Sequence, residues 1–108
     1  MKEHGIYSVS VMDNIITVTL EGTFNEFSIE ECHTLVKNKI VNLKGKCFGV
    51  LTIAVNFEGG TPEAYEKSNT FNNWLNDTSC VARAIVVKSK VHMEIARIQE
   101  PELVKQRH

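Results

Sequence analysis

The run CFGVLTIAV, residues 47–55, is the longest uncharged apolar stretch of this chain. Helical patterns lie on both sides of it, and a continuous apolar run in that position is typical of a strand buried on both faces. A second run, VARAIVV at residues 81–87, is also mostly apolar. We therefore expect residues 47–55 and 81–87 to be central strands of a parallel sheet.

Two alternating segments come before the first run. Residues 7–11 and 16–20 each alternate apolar side chains with Ser or Thr, which is the period of a strand with one buried face. Between them lie Asp13 and Asn14, which are residue types that tolerate a tight turn. The sequence thus predicts an opening antiparallel β-hairpin.

Two amphipathic helices are predicted next to the first run. Before it, apolar residues recur at three- and four-residue steps over residues 29–43, with a capping-box pattern at Ser28 and Glu31. After it, Thr61 can cap a helix and Pro62 can take the first helical position, so that a helix runs over about residues 62–76. The inward residues of this second helix are expected to be Ala64, Ser68, Phe71 and Leu75.

The elements follow one another in the order β-β-α-β-α-β-α. The last helix is predicted to begin at Ser89 and to carry Val91, Ile95 and Ile98 on its apolar face. Helices placed between strands require a mostly parallel sheet with right-handed crossovers. We therefore predict an α/β fold in one domain, residues 1–108, with an opening antiparallel hairpin followed by parallel strands packed by helices.

Composition limits the class of function. The chain has 12 Lys and Arg against 13 Asp and Glu, a net charge of −1, whereas a nucleic-acid binder needs an excess of basic residues. The three cysteines, Cys32, Cys47 and Cys80, are widely spaced and odd in number, which indicates reduced thiols that fill apolar space. No apolar run suits a signal peptide or stable membrane insertion. We expect a soluble cytoplasmic protein with no nucleic-acid partner.

Three strings carry a family resemblance: NIITVTLEGTFNE at 14–26, EGGTPEAYEKSNTFNNWLN at 58–76 and ARAIVVKSKV at 82–91. With the order of elements, they resemble the SpoIIAA-like branch of the STAS superfamily, which is named after sulphate transporters and anti-sigma factor antagonists. The resemblance implies a STAS-like mixed sheet packed by helices. It also implies a relation to phospho-switch proteins and to lipid-binding CRAL-TRIO-type domains.

Two features depart from that family. Anti-sigma antagonists carry an Asp-Ser-Ser/Thr-Gly motif with a phosphorylated serine after the buried strand, whereas residues 56–61 here read NFEGGT. Only Thr61 offers a hydroxyl there, and we interpret it as a helix cap rather than a phosphorylation site. Family members also commonly continue with a strand and a last helix where this sequence ends. We therefore expect either a shortened chain or a sheet edge that a partner covers.

The candidate ligand-binding residues are Glu58, Gly59, Gly60 and Thr61. They lie between a buried strand and the start of a helix, where α/β sheets place ligands and free N–H groups can hold an anion. The alternative is that the glycines and Thr61 only shape the turn.

No catalytic constellation is visible in the sequence. The four histidines, His4, His33, His92 and His108, show no metal-ligand spacing. No nucleophile lies at a recognisable spacing from a base. We expect no enzymatic activity, no metal and no cofactor.

With Trp74, the second helix has more aromatic surface than one core-facing row of side chains needs. An uncovered sheet edge also invites pairing with another chain. We therefore expect a homodimer with Trp74, Val91 and Ile95 at its interface. The favoured function is a non-catalytic STAS-like regulatory or protein-interaction module with a regulatory protein partner. The alternative is a small binder of a lipid or another apolar or anionic ligand, in a pocket between the sheet and the second and third helices.

Overall fold

The computed structural model describes residues 5–88, which form an α/β fold. The elements are β1 (Ile6–Met12), β2 (Ile15–Phe24), α1 (Glu26–Asn42), β3 (Phe48–Gly60), α2 (Pro62–Leu75) and β4 (Cys80–Val87). This order confirms the predicted α/β class and its opening hairpin. The predicted third helix, which would begin at Ser89, lies outside the described residues.

The strands form one mixed sheet in the order β1-β2-β3-β4. β1 pairs antiparallel with β2, while β3 pairs parallel with both β2 and β4. The hairpin turns at Asp13 and Asn14, whose φ angles of 52° and 64° are both left-handed. A tight two-residue turn of type I′ needs this conformation at both central positions, which explains the residue types found there.

Both helices begin with side-chain caps. In α1 the cap is Asn25 rather than Ser28: Asn25 Oδ1 accepts from Ser28 N at 2.8 Å, and Ser28 Oγ accepts from Asn25 N at 3.0 Å. Ser28 therefore fills the third position of the capping box, and the helix starts earlier than its Ser28–Glu31 pattern predicts. In α2, Thr61 Oγ1 accepts from Ala64 N at 3.1 Å, as predicted.

β3 is longer than its apolar run. The predicted strand ends at residue 55, whereas the segment 56–60 continues it, because β2 extends to Phe24 and supplies a pairing partner. The register shifts twice along this extension, which marks a local bulge. At the other end the strand starts at Phe48, so Cys47 is exposed and the prediction that it fills apolar space is wrong.

Both helices pack on one face of the sheet. Side chains of both helices share one core with the same face of the sheet, as expected for two right-handed crossovers that step in the same direction. The main core lies between these layers and consists of Ile16, Val18, Cys32, Val36, Phe48, Val50, Phe71 and Leu75.

The opposite face of the sheet is open within residues 5–88. Leu51 and Ile53 are only half-buried there, and Val55 is exposed. β3 has the predicted inner position, but its predicted cover on both faces is not found in this part of the chain. β4 is an edge strand of the described sheet, so the prediction that residues 81–87 form a central strand is wrong for these residues.

Candidate functional site

A cavity of about 160 Å³ lies between the sheet and the two helices. α2 approaches β3 at few points. Small side chains line the gap between them: Ala54 on β3, and Ala64 and Ser68 on α2. Protein interiors are normally close-packed, and these side chains are too small to fill the space between the two elements. The cavity therefore follows from the choice of residues at three facing positions.

The lining of the cavity is mainly apolar, with a few polar side chains. Thr52 and Ser68 bring hydroxyl groups to it, and each is less than a tenth exposed. Asn72 also lines it and donates from Nδ2 to the backbone oxygen of Ser68 at 2.9 Å. Tyr65 also lines the cavity, so the site combines a large apolar wall with three hydroxyl-bearing side chains.

A buried arginine holds α2 against β4. Arg83 is 3% exposed, and its Nη1 donates to the backbone oxygen of Asn72 at 2.7 Å. Its Nη2 donates to Asn76 Oδ1. Charge-assisted bonds of this kind are stronger than neutral ones. They hold the C-terminal half of α2 against β4. The cavity that the packing of α2 on β3 leaves unfilled lies next to this contact.

His33 forms part of the cavity wall. Its ring stacks on Phe71, with centroids 4.1 Å apart and planes 5° from parallel. Burial, assisted by the charge of Lys37 and opposed by Glu30, lowers the pKa of His33 to about 4. The imidazole is therefore neutral at neutral pH.

Cys32 precedes His33 on α1 and lines the same cavity. Burial raises the pKa of its thiol to about 12, so that the sulfur stays protonated. A thiolate–imidazolium pair needs the opposite shifts, with the thiol acidified and the imidazole charged. The two side chains are thus neutral wall residues.

The predicted ligand-binding residues divide into two groups. Glu58, Gly59 and Gly60 line one end of the cavity. Thr61 does not line it; this residue is exposed and caps α2. The glycines also have structural roles: Gly59 has a φ of +116°, and a Cβ on Gly60 would lie 3.1 Å from the backbone oxygen of Phe24. Both the ligand-site prediction and its turn-shaping alternative therefore have support at these positions.

The predicted interface residues are only partly described. Val91 and Ile95 lie outside residues 5–88. Trp74 is 37% exposed and lies in a surface groove between α1 and α2, where Lys37 Nζ sits 5.0 Å from the centre of its ring. Phe27, which is 68% exposed, lines the same groove. This groove lies on the outer side of the helices, with His33 and Phe71 lining both it and the cavity.

Sequence reasoning missed two of the cavity's polar residues. Thr52 is the one polar residue in CFGVLTIAV, and Asn72 occupies an inward position of α2, four residues after Ser68. Polar residues at such positions were a usable signal, because a buried hydroxyl or amide normally serves a hydrogen bond or a site.

No protein-family model matches the chain, and no curated protein matches it at a significant level. Within residues 5–88, no three His, Cys, Asp or Glu side chains come close enough to hold a metal ion. Neither helix of this region is long and apolar enough to cross a bilayer.

Proposed function

We propose that this domain is a non-catalytic binding module that encloses a small, mostly apolar molecule between the sheet and its helices. The observation that carries the proposal is the cavity of about 160 Å³ lined mainly by apolar side chains. An engineered apolar cavity of about 150 Å³ binds benzene or xenon, so a cavity of this size is large enough to hold a ligand.

The size of the cavity limits the ligand. Pockets for drug-sized molecules measure about 300–1,000 Å³, which is well above the volume available here. A single ring or a short acyl chain fits, whereas a whole membrane lipid does not. The lipid ligand expected from the CRAL-TRIO relation is therefore narrowed to a small apolar molecule.

The chemistry of the lining favours a neutral ligand. Arg83 is not part of the lining, His33 is neutral at neutral pH, and the carboxyl group of Glu58 would repel an anion. A charge buried without a partner is costly. The hydroxyls of Thr52 and Ser68 can instead form a hydrogen bond with one polar group of the ligand. We therefore favour a neutral apolar ligand over an anionic one.

Binding of benzene and indole to the full chain tests this proposal. We expect each probe to raise the melting temperature and to shift the amide NMR signals of cavity residues such as Ala64. Ala54→Leu fills the cavity and should abolish both effects. Ala84→Leu makes the same change on the exposed opposite face of the sheet and should preserve them. A folded native chain that shows no response to saturating benzene or indole would refute the proposal.

A second candidate function is a STAS-like regulatory module that binds a protein partner. The exposed groove with Phe27 and Trp74 favours it, because aromatic side chains are enriched at protein interfaces. In a pull-down from cells, the tagged native chain should then recover a partner protein. The Phe27→Glu and Trp74→Glu variants should fail to recover that protein. Val41→Glu is the matched control, since Val41 is 72% exposed on α1 and does not line the groove. Recovery of the same partner by all three variants would argue against the groove as the partner-binding surface.

A further inference from the structure

Three polar side chains of the cavity wall are buried but leave hydrogen-bonding atoms unpaired. Thr52, Ser68 and Asn72 all line the cavity and are 8%, 7% and 6% exposed. Within residues 5–88, no hydrogen bond of the protein uses the hydroxyl of Thr52, the hydroxyl of Ser68 or Oδ1 of Asn72. Buried polar atoms normally have a partner, so each exception calls for an explanation. A ligand in the cavity would supply the missing partners.

The side-chain amide of Asn72 has a fixed orientation. Its Nδ2 donates to the backbone oxygen of Ser68 at 2.9 Å. A carbonyl oxygen can only accept, so the NH₂ end of the amide must face Ser68 and Oδ1 must point away from it. Oδ1 is itself an acceptor and cannot donate. An occupant that pairs with Oδ1 must therefore carry an O–H or N–H group.

The three side chains face the same enclosed space from two walls. Ser68 and Asn72 are four residues apart on α2, so they lie one turn apart on one face of the helix. Thr52 lies on the opposite wall, on the side of β3 that faces the helices. A molecule that fills a cavity of about 160 Å³ contacts both walls. One polar group on such a molecule can thus serve as the common partner.

The other polar side chains of the lining are less buried. Tyr65 and His33 are half-buried, and Glu58 is exposed. The thiol of Cys32 is buried, but a thiol is only a weak donor. The need for a buried partner is therefore strongest at Thr52, Ser68 and Asn72.

The donors and acceptors of these three side chains define the class of ligand. A plain hydrocarbon would leave all three unpaired, and an ether or a ketone would leave Oδ1 without a donor. An amine or a carboxylic acid would carry a charge at neutral pH, which is costly to bury. A hydroxyl group has one O–H for Oδ1 and two lone pairs for the hydroxyls of Thr52 and Ser68. It is also the smallest neutral group that both donates and accepts.

We infer that the ligand carries a hydroxyl group on a small apolar body, as a phenol or a short alcohol does. This assignment rests on the proposed function, since it names the ligand class of the same cavity. The apolar body fills the space left by Ala54 and Ala64, and the hydroxyl group pairs with the three buried polar side chains.

Phenol and fluorobenzene form a matched pair of probes, because they have similar shapes and fluorobenzene has no O–H group. Titration of the full chain, followed by the amide NMR signal of Ala64, gives both dissociation constants. We expect phenol to bind about tenfold or more tightly than fluorobenzene, since several buried groups gain partners only from phenol. Ala54→Leu fills the cavity and should abolish the binding of both probes.

Three variants test the individual partners. Asn72→Leu and Thr52→Val keep the approximate shape of each side chain but remove the acceptor and the hydroxyl group. Each should weaken the binding of phenol and leave the binding of fluorobenzene unchanged or stronger. Thr17→Val is the matched control, because Thr17 lies on the opposite face of the sheet and does not line the cavity. Native circular dichroism spectra establish that all the variants are folded.

The two proposals fail in different ways. Equal affinities of the native chain for phenol and fluorobenzene would overturn the hydroxyl assignment and leave the proposed function intact. A preference for phenol that persists in both Asn72→Leu and Thr52→Val would do the same. Phenol binding that survives Ala54→Leu would also overturn the assignment, because the binding would then lie outside the cavity. Failure of both probes to bind would refute the proposed function together with the assignment.

Discussion

The neutral imidazole of His33 makes the stability of the domain depend on pH. Burial and the charge of Lys37 lower the pKa of His33 to about 4, whereas an unfolded histidine titrates near 6.5. Between these values the unfolded chain binds more protons than the native chain, so that stability falls as the pH falls from about 6.5 to about 4. At about 1.4 kcal/mol per pKa unit the whole loss is roughly 3 kcal/mol. About 2 kcal/mol of it arises between pH 7 and pH 5. These figures are upper bounds, because the side chain keeps some contact with water.

The matched variant is His33→Phe, which removes the titrating group and retains an aromatic ring against Phe71. Urea unfolding at pH 7 and pH 5, followed through the single tryptophan, Trp74, gives the free energy of unfolding of both proteins. The native chain should lose up to about 2 kcal/mol more than the variant between the two pH values. Carboxylates and the other histidines titrate in both proteins and cancel in this difference. Equal losses would mean that His33 titrates normally and is not enclosed as described.

Three further substitutions test the fold. Thr61→Ala should lower the free energy of unfolding by about 1 kcal/mol, and Thr61→Ser should largely preserve it, because the cap needs only the hydroxyl oxygen. Asn14→Val should cost about 1–2 kcal/mol, since Asn14 is left-handed, whereas Asn14→Gly should cost nothing. Ile16→Ala should cost about 2–5 kcal/mol because Ile16 is fully buried. Leu51→Ala should cost clearly less than Ile16→Ala, because Leu51 is only half-buried. Urea denaturation measures each value, and equal costs for Ile16→Ala and Leu51→Ala would contradict the one-sided cover of the sheet.

The features that were predicted correctly from sequence depend on neighbouring residues. The hairpin follows from Asp13 and Asn14, and α2 follows from Thr61 and Pro62, because turns and caps form within a few residues. The extension of β3 to Gly60 was missed because its partner lies in β2, more than thirty residues earlier. Pairing between distant segments leaves no local signal in the sequence.

The candidate site, like the fold, could be predicted from the sequence only in part. The sequence suggested ligand-binding residues at Glu58, Gly59 and Gly60, since the carboxyl end of an inner parallel strand is where such sheets hold ligands, and these three residues line one end of the cavity. The cavity itself was not predictable in shape, because it depends on small side chains on β3 and α2 that meet only after folding. The stacking of His33 on Phe71 likewise joins α1 to α2 and has no trace in the spacing of residues along the chain.

The two faces of β3 have different surroundings, and this difference explains the composition of its apolar run. Successive side chains of a strand point to opposite faces, so Val50, Thr52 and Ala54 line the cavity while Leu51 and Ile53 point to the open face. Two layers of helices would account for a run with so little alternation, but both helices of the described chain lie on one side. The cavity accounts for the residues on one face of the strand. On the other face, Leu51 and Ile53 pair with Thr17 and Thr19 of β2 and with Ala84 and Val86 of β4. β-branched and other apolar side chains pack well against such cross-strand neighbours, so the run stays apolar there without a second layer of helices from residues 5–88.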